Sequence, residues 1–166
     1  MEARISNSRG LKMMMFWIIV SLVVMLDQAT KAAVRLMVSE GDMTFIPGVL
    51  DLTLVENTGA AFSLGAGAGV GAFFVLIALA VLVVVMFILW REPNLPMSMV
   101  LTLGCVGGGG IGNMIDRVVK GSVTDFLKTT FINFPIFNVA DICVTVGVVL
   151  TFILYVLWDR KQGAHT

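Results

Sequence analysis

GVGAFFVLIALAVLVVVMFILW, residues Gly69 to Trp90, runs 22 positions without a charged side chain. A helix rises about 1.5 Å per residue and the hydrocarbon core of a bilayer is about 30 Å thick, so such a run reads as a membrane-spanning helix. Arg91-Glu92-Pro93-Asn94-Leu95-Pro96 closes it: two prolines and a charge pair make a short turn at the membrane surface. Working outward, a second span lies over about 97–117, stopped at Asp116-Arg117, and a third over about 138–158, stopped at Asp159-Arg160-Lys161. Upstream, the apolar stretch from Met13 to Leu26 continues past Asp27 to about residue 36. Arg4, Arg9 and Lys12 precede it as in a signal peptide, but no small-x-small cleavage site follows, so it reads as a retained helix. The expected fold is mainly α, a polytopic membrane protein whose residues 1–166 make one embedded domain of four helices.

Composition agrees. The 166 residues are 58% hydrophobic and 13% charged, with a mean hydropathy of +0.97, against roughly 25% charged residues in soluble domains. Formal net charge is zero and no basic block occurs, which argues against a nucleic-acid partner. Cys105 and Cys143 sit inside apolar runs, too few for a disulfide framework or a four-thiolate metal site. The amino-terminal tail, the 91–96 turn and the carboxy-terminal tail carry Arg4, Arg9, Lys12, Arg91, Arg160 and Lys161 in little chain. The other two connections spread Lys31, Arg35, Arg117, Lys120 and Lys128 over far more, so both termini are expected in the cytoplasm.

The outer segment of about 42–63 is no plain linker. Leu50, Leu52 and Leu54 alternate with Asp51 and Thr53, the period of a half-buried strand, between Pro47-Gly48 and Asn57-Thr58-Gly59. A small extracytoplasmic β-sheet between the first two helices is expected, its apolar side covered by the bilayer interface or a bound lipidated ligand. Residues 118–137 read as an outer loop. In the third helix Gly104, Gly108 and Gly112 recur every four positions, a small-residue pattern that suits helix docking or a smooth surface for a ligand chain.

Ionisable groups within or beside spans are costly, about 2.5 to 3.5 kcal/mol at a helix centre, and here they gather at one face. Asp27 and Lys31 stand one turn apart, which an i,i+4 ion pair or a substrate contact would each explain. Asp141 follows Asn138 at the spacing of an N-cap and its third helical residue, and Asp125 has the look of a solvated loop residue or of a functional group. His165 is the only histidine, so histidine-dependent nucleophiles and zinc sites near the outer face are unavailable. If the chain is an enzyme, carboxylates do the work. Two aspartates sharing one proton can activate water and protonate a carbonyl, and Asp125 and Asp141, 16 positions apart, meet that need. Such a site needs no metal or other cofactor.

Five motifs extend this reading: Asp27-Gln28-Ala29-Thr30-Lys31, Glu56-Asn57-Thr58-Gly59-Ala60-Ala61-Phe62, Gly108-Gly109-Gly110-Ile111-Gly112-Asn113-Met114-Ile115-Asp116-Arg117, Val123-Thr124-Asp125-Phe126 and Phe137-Asn138-Val139-Ala140-Asp141. In order and spacing they resemble bacterial lipoprotein signal peptidase, signal peptidase II. The resemblance implies an aspartic endopeptidase of the bacterial inner membrane that cuts diacylglyceryl-modified prolipoproteins before the lipidated cysteine; membrane lipid is the expected surrounding and a monomer the expected state. It implies Asp125 and Asp141 as the catalytic pair near the periplasmic face. It further implies Asn57, Asn113, Arg117 and Asn138 as residues that line the site, with Asp27, Lys31, Gly108 and Ala140 matching positions around it. The sequence departs from the family pattern at Gly110, Ile142 and a 126–137 loop without Trp. A proton channel or transporter and a non-catalytic scaffold are the competing readings, since intramembrane charges also mark ion paths.

Overall fold

A computed structural model describes residues 2–38, 41–59 and 70–163. Gly69, residues 60–63 of the expected outer β segment and His165 lie outside the described residues. In chain order the elements are helix α1 (Glu2–Met37), strands β1 (Met43–Ile46) and β2 (Leu50–Asn57), helices α2 (Val70–Arg91) and α3 (Met97–Lys120), strand β3 (Val123–Thr129) and helix α4 (Val139–Gly163). Each helix contains a stretch long and apolar enough to cross a membrane. Their outward faces carry large uncovered apolar side chains such as Val83, Phe87 and Phe152. Water does not tolerate such a surface, whereas lipid solvates it.

The connectivity places the sheet at one end of the bundle and the α2–α3 turn, with the start of α1 and the end of α4, at the other. Helix α3 is the hub and packs on α1, α2 and α4. Its glycines explain how. A Cβ at Gly104 would lie 2.8 Å from Ile19 Cβ, one at Gly108 2.7 Å from Val23 Cβ, and one at Gly112 2.6 Å from Asp27 Oδ2. The four-residue repeat is therefore the docking face for α1. Gly109 does the same for α4, where a Cβ would collide with the Ala140 carbonyl oxygen. Below the sheet, Phe16, Val20, Val85, Leu89, Met99, Val100 and Leu103 form an apolar core joining α1, α2 and α3.

The sheet has three antiparallel strands in the order β1-β2-β3. Its third strand comes from the 118–137 stretch, which the sequence presents as a loop. Gly121 makes the turn into it, with φ 77° and its N–H on the Arg117 carbonyl at 3.0 Å, a left-handed cap that a side chain would strain. Between the pairs Leu52↔Leu127 and Val55↔Asp125, β2 advances three residues while β3 advances two. This bulge reverses the faces of β2 and leaves Leu54 exposed despite the alternation in its sequence. The apolar cover of the sheet also differs from expectation: Val34 and Val38 at the end of α1 pack on Leu52 and Phe126, so the chain supplies its own cover on that side. The far tip, where the Ile46–Val49 turn meets Thr130, leaves Phe45, Val49, Phe131 and Ile132 exposed.

Candidate active site

Helix α4 begins with a reciprocal cap. Asn138 Oδ1 accepts the Asp141 backbone N–H at 3.0 Å, and Asp141 Oδ2 accepts the Asn138 backbone N–H at 3.0 Å. Two donors that a helix start leaves unpaired are thereby satisfied. The other oxygen, Asp141 Oδ1, accepts the Asn113 side-chain N–H at 2.8 Å. The cap reading and the site reading of Asp141 thus describe different oxygens of one carboxylate.

Strand β3 brings the second carboxylate. Successive residues of a strand face opposite ways: Thr124 takes a bond from Arg35 at 2.5 Å and Phe126 packs on α1, whereas Val123 and Asp125 line a cavity. Asp125 is only 3% exposed. Its Oδ2 accepts from Asn57 Nδ2 at 2.9 Å and its Oδ1 from Asn138 Nδ2 at 2.7 Å. Burial pushes the Asp125 carboxyl up to about 6; the Asn57 bond opposes this and the nearby Asp141 charge adds to it. Asn138 touches both acids, gripping Asp141 through Oδ1 and its backbone N–H, and Asp125 through Nδ2.

Asp125 and Asp141 open on one cavity of about 640 Å³ between α2, α3 and α4. One end is polar, with Asn57, Asn113 and Arg117 beside the acids. The rest is apolar, walled by residues such as Ile77, Val81, Val106 and Val144 and smoothed by Gly107 and Gly110. The Arg117 guanidinium lies 4.9 Å from the centre of the Phe74 ring and makes long bonds of 3.5 Å to the carbonyls of Asn113 and Gly59. Stacking on an aromatic face suits a cation in a dry site. Phe74 escaped the sequence reading, because one phenylalanine among many in an apolar helix gives no signal until its neighbour is known.

Four of the residues singled out in the sequence do not line this cavity. Gly108 faces Val23 and Val20 of α1, the helix-docking role its spacing suggests. Ala140 is fully buried, and its backbone N–H donates to Asp27 Oδ1 at 3.1 Å. Asp27 and Lys31 form the expected pair at 2.9 Å, but behind the site and out of reach of solvent. Lys31 also meets Asp116 at 3.0 Å and Asn113 Oδ1 at 2.9 Å. Asp116 completes a buried ionic cluster that the sequence showed only as a helix end. Among the described residues, no group of three or more His, Cys, Asp or Glu is placed to hold a metal.

Two carboxylates held by amides thus open on the polar end of an otherwise apolar cavity. The family model described as signal peptidase (SPase) II matches residues 19–157. The chain belongs to the signal peptidase II family. Lipoprotein signal peptidase of Enterococcus faecalis is 43% identical over 152 residues, covering 91% of this chain and 92% of that protein. The enzyme of the same name from Thermosynechococcus vestitus is 37% identical over 155 residues, covering 91% and 96%. A bacterial membrane enzyme solved by the in meso method at 2.3 Å superposes with a TM-score of 0.76 at 33% identity, covering 89% of this chain and 90% of the other. Signal peptidase II is an aspartic peptidase family, so this member is a protease and a multi-pass bacterial membrane protein, and the transporter and scaffold readings give way.

Proposed function

We propose that this signal peptidase II removes the signal peptide of diacylglyceryl-modified prolipoproteins, cutting just before the lipidated cysteine, with water activated between Asp125 and Asp141. One observation carries the reading: both carboxylates open on the polar end of a single apolar cavity, bridged by the Asn138 side chain. A signal peptide is an apolar segment, and the walls of α2, α3 and α4 offer it a lipid-like bed that ends at the acids. In the singly protonated pair, one carboxylate takes a proton from water as the oxygen attacks the scissile carbonyl carbon, and the other gives its proton to the carbonyl oxygen. The resulting tetrahedral intermediate collapses as its C–N bond breaks and the leaving amine takes up a proton. Arg117 and Asn57 stand where they can hold the substrate backbone.

The cationic tails and the 91–96 turn belong in the cytoplasm, which puts the sheet and the acids at the periplasmic edge of the bilayer. A monomer surrounded by lipid is sufficient, since every proposed site residue comes from one chain. The test uses purified full-length protein with a diacylglyceryl-modified precursor peptide, read by mass. Asp125→Asn and Asp141→Asn each lower turnover by at least about 1,000-fold, the scale of general acid–base catalysis, while unfolding temperature stays near wild type. Near-normal turnover by either variant would overturn the pair, and cleavage anywhere except before the lipidated cysteine would overturn the substrate.

A further inference from the structure

Lys31 is an ammonium with no exposed surface inside a membrane bundle, a costly placement that calls for a role. It donates to Asp27 Oδ2 at 2.9 Å and to Asn113 Oδ1 at 2.9 Å, and it forms an ion pair with Asp116 Oδ2 at 3.0 Å. The Asn113 acceptor matters most. A side-chain amide has nearly the same shape either way round, so its orientation follows from what its ends face. An ammonium only donates, and therefore demands the oxygen of Asn113. The amide nitrogen is then turned to Asp141 Oδ1 at 2.8 Å. Reversed, Asn113 would set its NH2 against the Lys31 ammonium and against Asn138 Nδ2, which now donates to Oδ1 at 3.1 Å, and would set its oxygen against a carboxylate.

We propose that Lys31 is a positioning residue that locks the Asn113 side chain in one orientation and through it fixes the Asp141 carboxylate for catalysis. The inference rests on the reading of Asp125 and Asp141 as the catalytic pair. Asp27 and Asp116 hold the ammonium in place. Asp27 also anchors the first turn of α4 through the Ala140 N–H, so one cluster aligns both the helix that carries Asp141 and the amide that contacts it. The charged groups around this point are Asp27, Lys31 and Arg35 from α1, Asp116, Arg117 and Lys120 from α3, and Asp125 from β3.

The experiment is a mutant cycle on the full-length enzyme. Asp27→Asn/Lys31→Met removes one negative and one positive charge together, and an asparagine oxygen can still take the Ala140 N–H. This variant lowers kcat at least about 10-fold with KM unchanged, as expected when a catalytic group is mispositioned without loss of binding. In an Asn113→Ala background the same double change has no further effect, because the residue through which Lys31 acts is gone. Wild-type kcat in the double variant, or an equal loss in both backgrounds, would overturn the proposal. Asn113→Leu tests it without touching Lys31: Asp27 and Asp116 still pair with the ammonium while Asp141 loses its amide donor, so kcat falls in a protein that stays folded, and an undiminished kcat would refute the relay. Were Asp125→Asn or Asp141→Asn to remain active, the catalytic pair itself would fail, a separate result.

Discussion

The two ends of the bundle hold α1 against α3 by opposite means. Toward the α2–α3 turn the contact is apolar: Phe16 and Val20 pack with Met99, Val100 and Leu103, and Gly104 lets Ile19 close on the α3 backbone. Toward the sheet the same helices meet through Asp27, Lys31 and Asp116, all buried. Apolar packing tolerates small rotations of its members, whereas a buried ion pair fails unless every partner is in place. Buried ions are weak evidence of added stability. Their yield here is orientation, delivered at the end of the molecule where an amide and two carboxylates must face given directions.

This contrast can be broken at its apolar end. Leu103→Ala empties part of that core and lowers stability by about 2 to 5 kcal/mol, seen as a fall in unfolding temperature, yet kcat of the folded enzyme stays at the wild-type value. A matching loss of kcat would mean that the two ends are not separable. A smaller effect is expected at Asn57, whose N–H donates to Asp125 Oδ2 and so favours the ionised carboxylate. Asn57→Ala removes that bond and Asp125 keeps its proton to higher pH. Because the working pair needs one proton, the descending alkaline limb of kcat/KM moves up by about one pH unit, the size of one charge-assisted hydrogen bond. A limb that stays put, or moves down, would remove Asn57 from the tuning of the pair. Smallest of all is Lys128→Ala. Its ion pair with Asp42 at 2.5 Å is nearly half exposed on both sides, and such surface pairs contribute little. Neither unfolding temperature nor turnover changes measurably, unlike any break in the Lys31 cluster.

Much of this was legible in the residues, for physical reasons that also explain the gaps. The spans follow from length and hydropathy alone, and the Asn138–Asp141 cap and the Asp27–Lys31 pair follow from helical spacing, because these are local interactions. Strand β3 was not legible. Val123 and Asp125 face the cavity while Thr124 and Phe126 face α1 and α3, so neither side is solvated and no polar alternation marks the strand. The glycines of α3 show the other limit. Gly107, Gly108, Gly109 and Gly110 are identical letters, but rotation about the helix sends Gly108 to α1, Gly109 to α4 and Gly110 to the cavity. Only the positions of the neighbouring helices separate them. Lys31 lies between these cases: its partner Asp27 is written one turn away, while Asn113, 82 positions along the chain, becomes its neighbour only in the folded bundle.

Asp141 commits one oxygen to starting α4 and gives the other to the Asn113 amide beside the cavity. An inhibitor that gripped this carboxylate would be holding a cornerstone of the architecture as well as a reactive group. On the proposed mechanism, resistance by any replacement that cannot accept the Asn138 N–H would have to repair two faults at once, a silent catalyst and a helix whose first turn has lost its fastening.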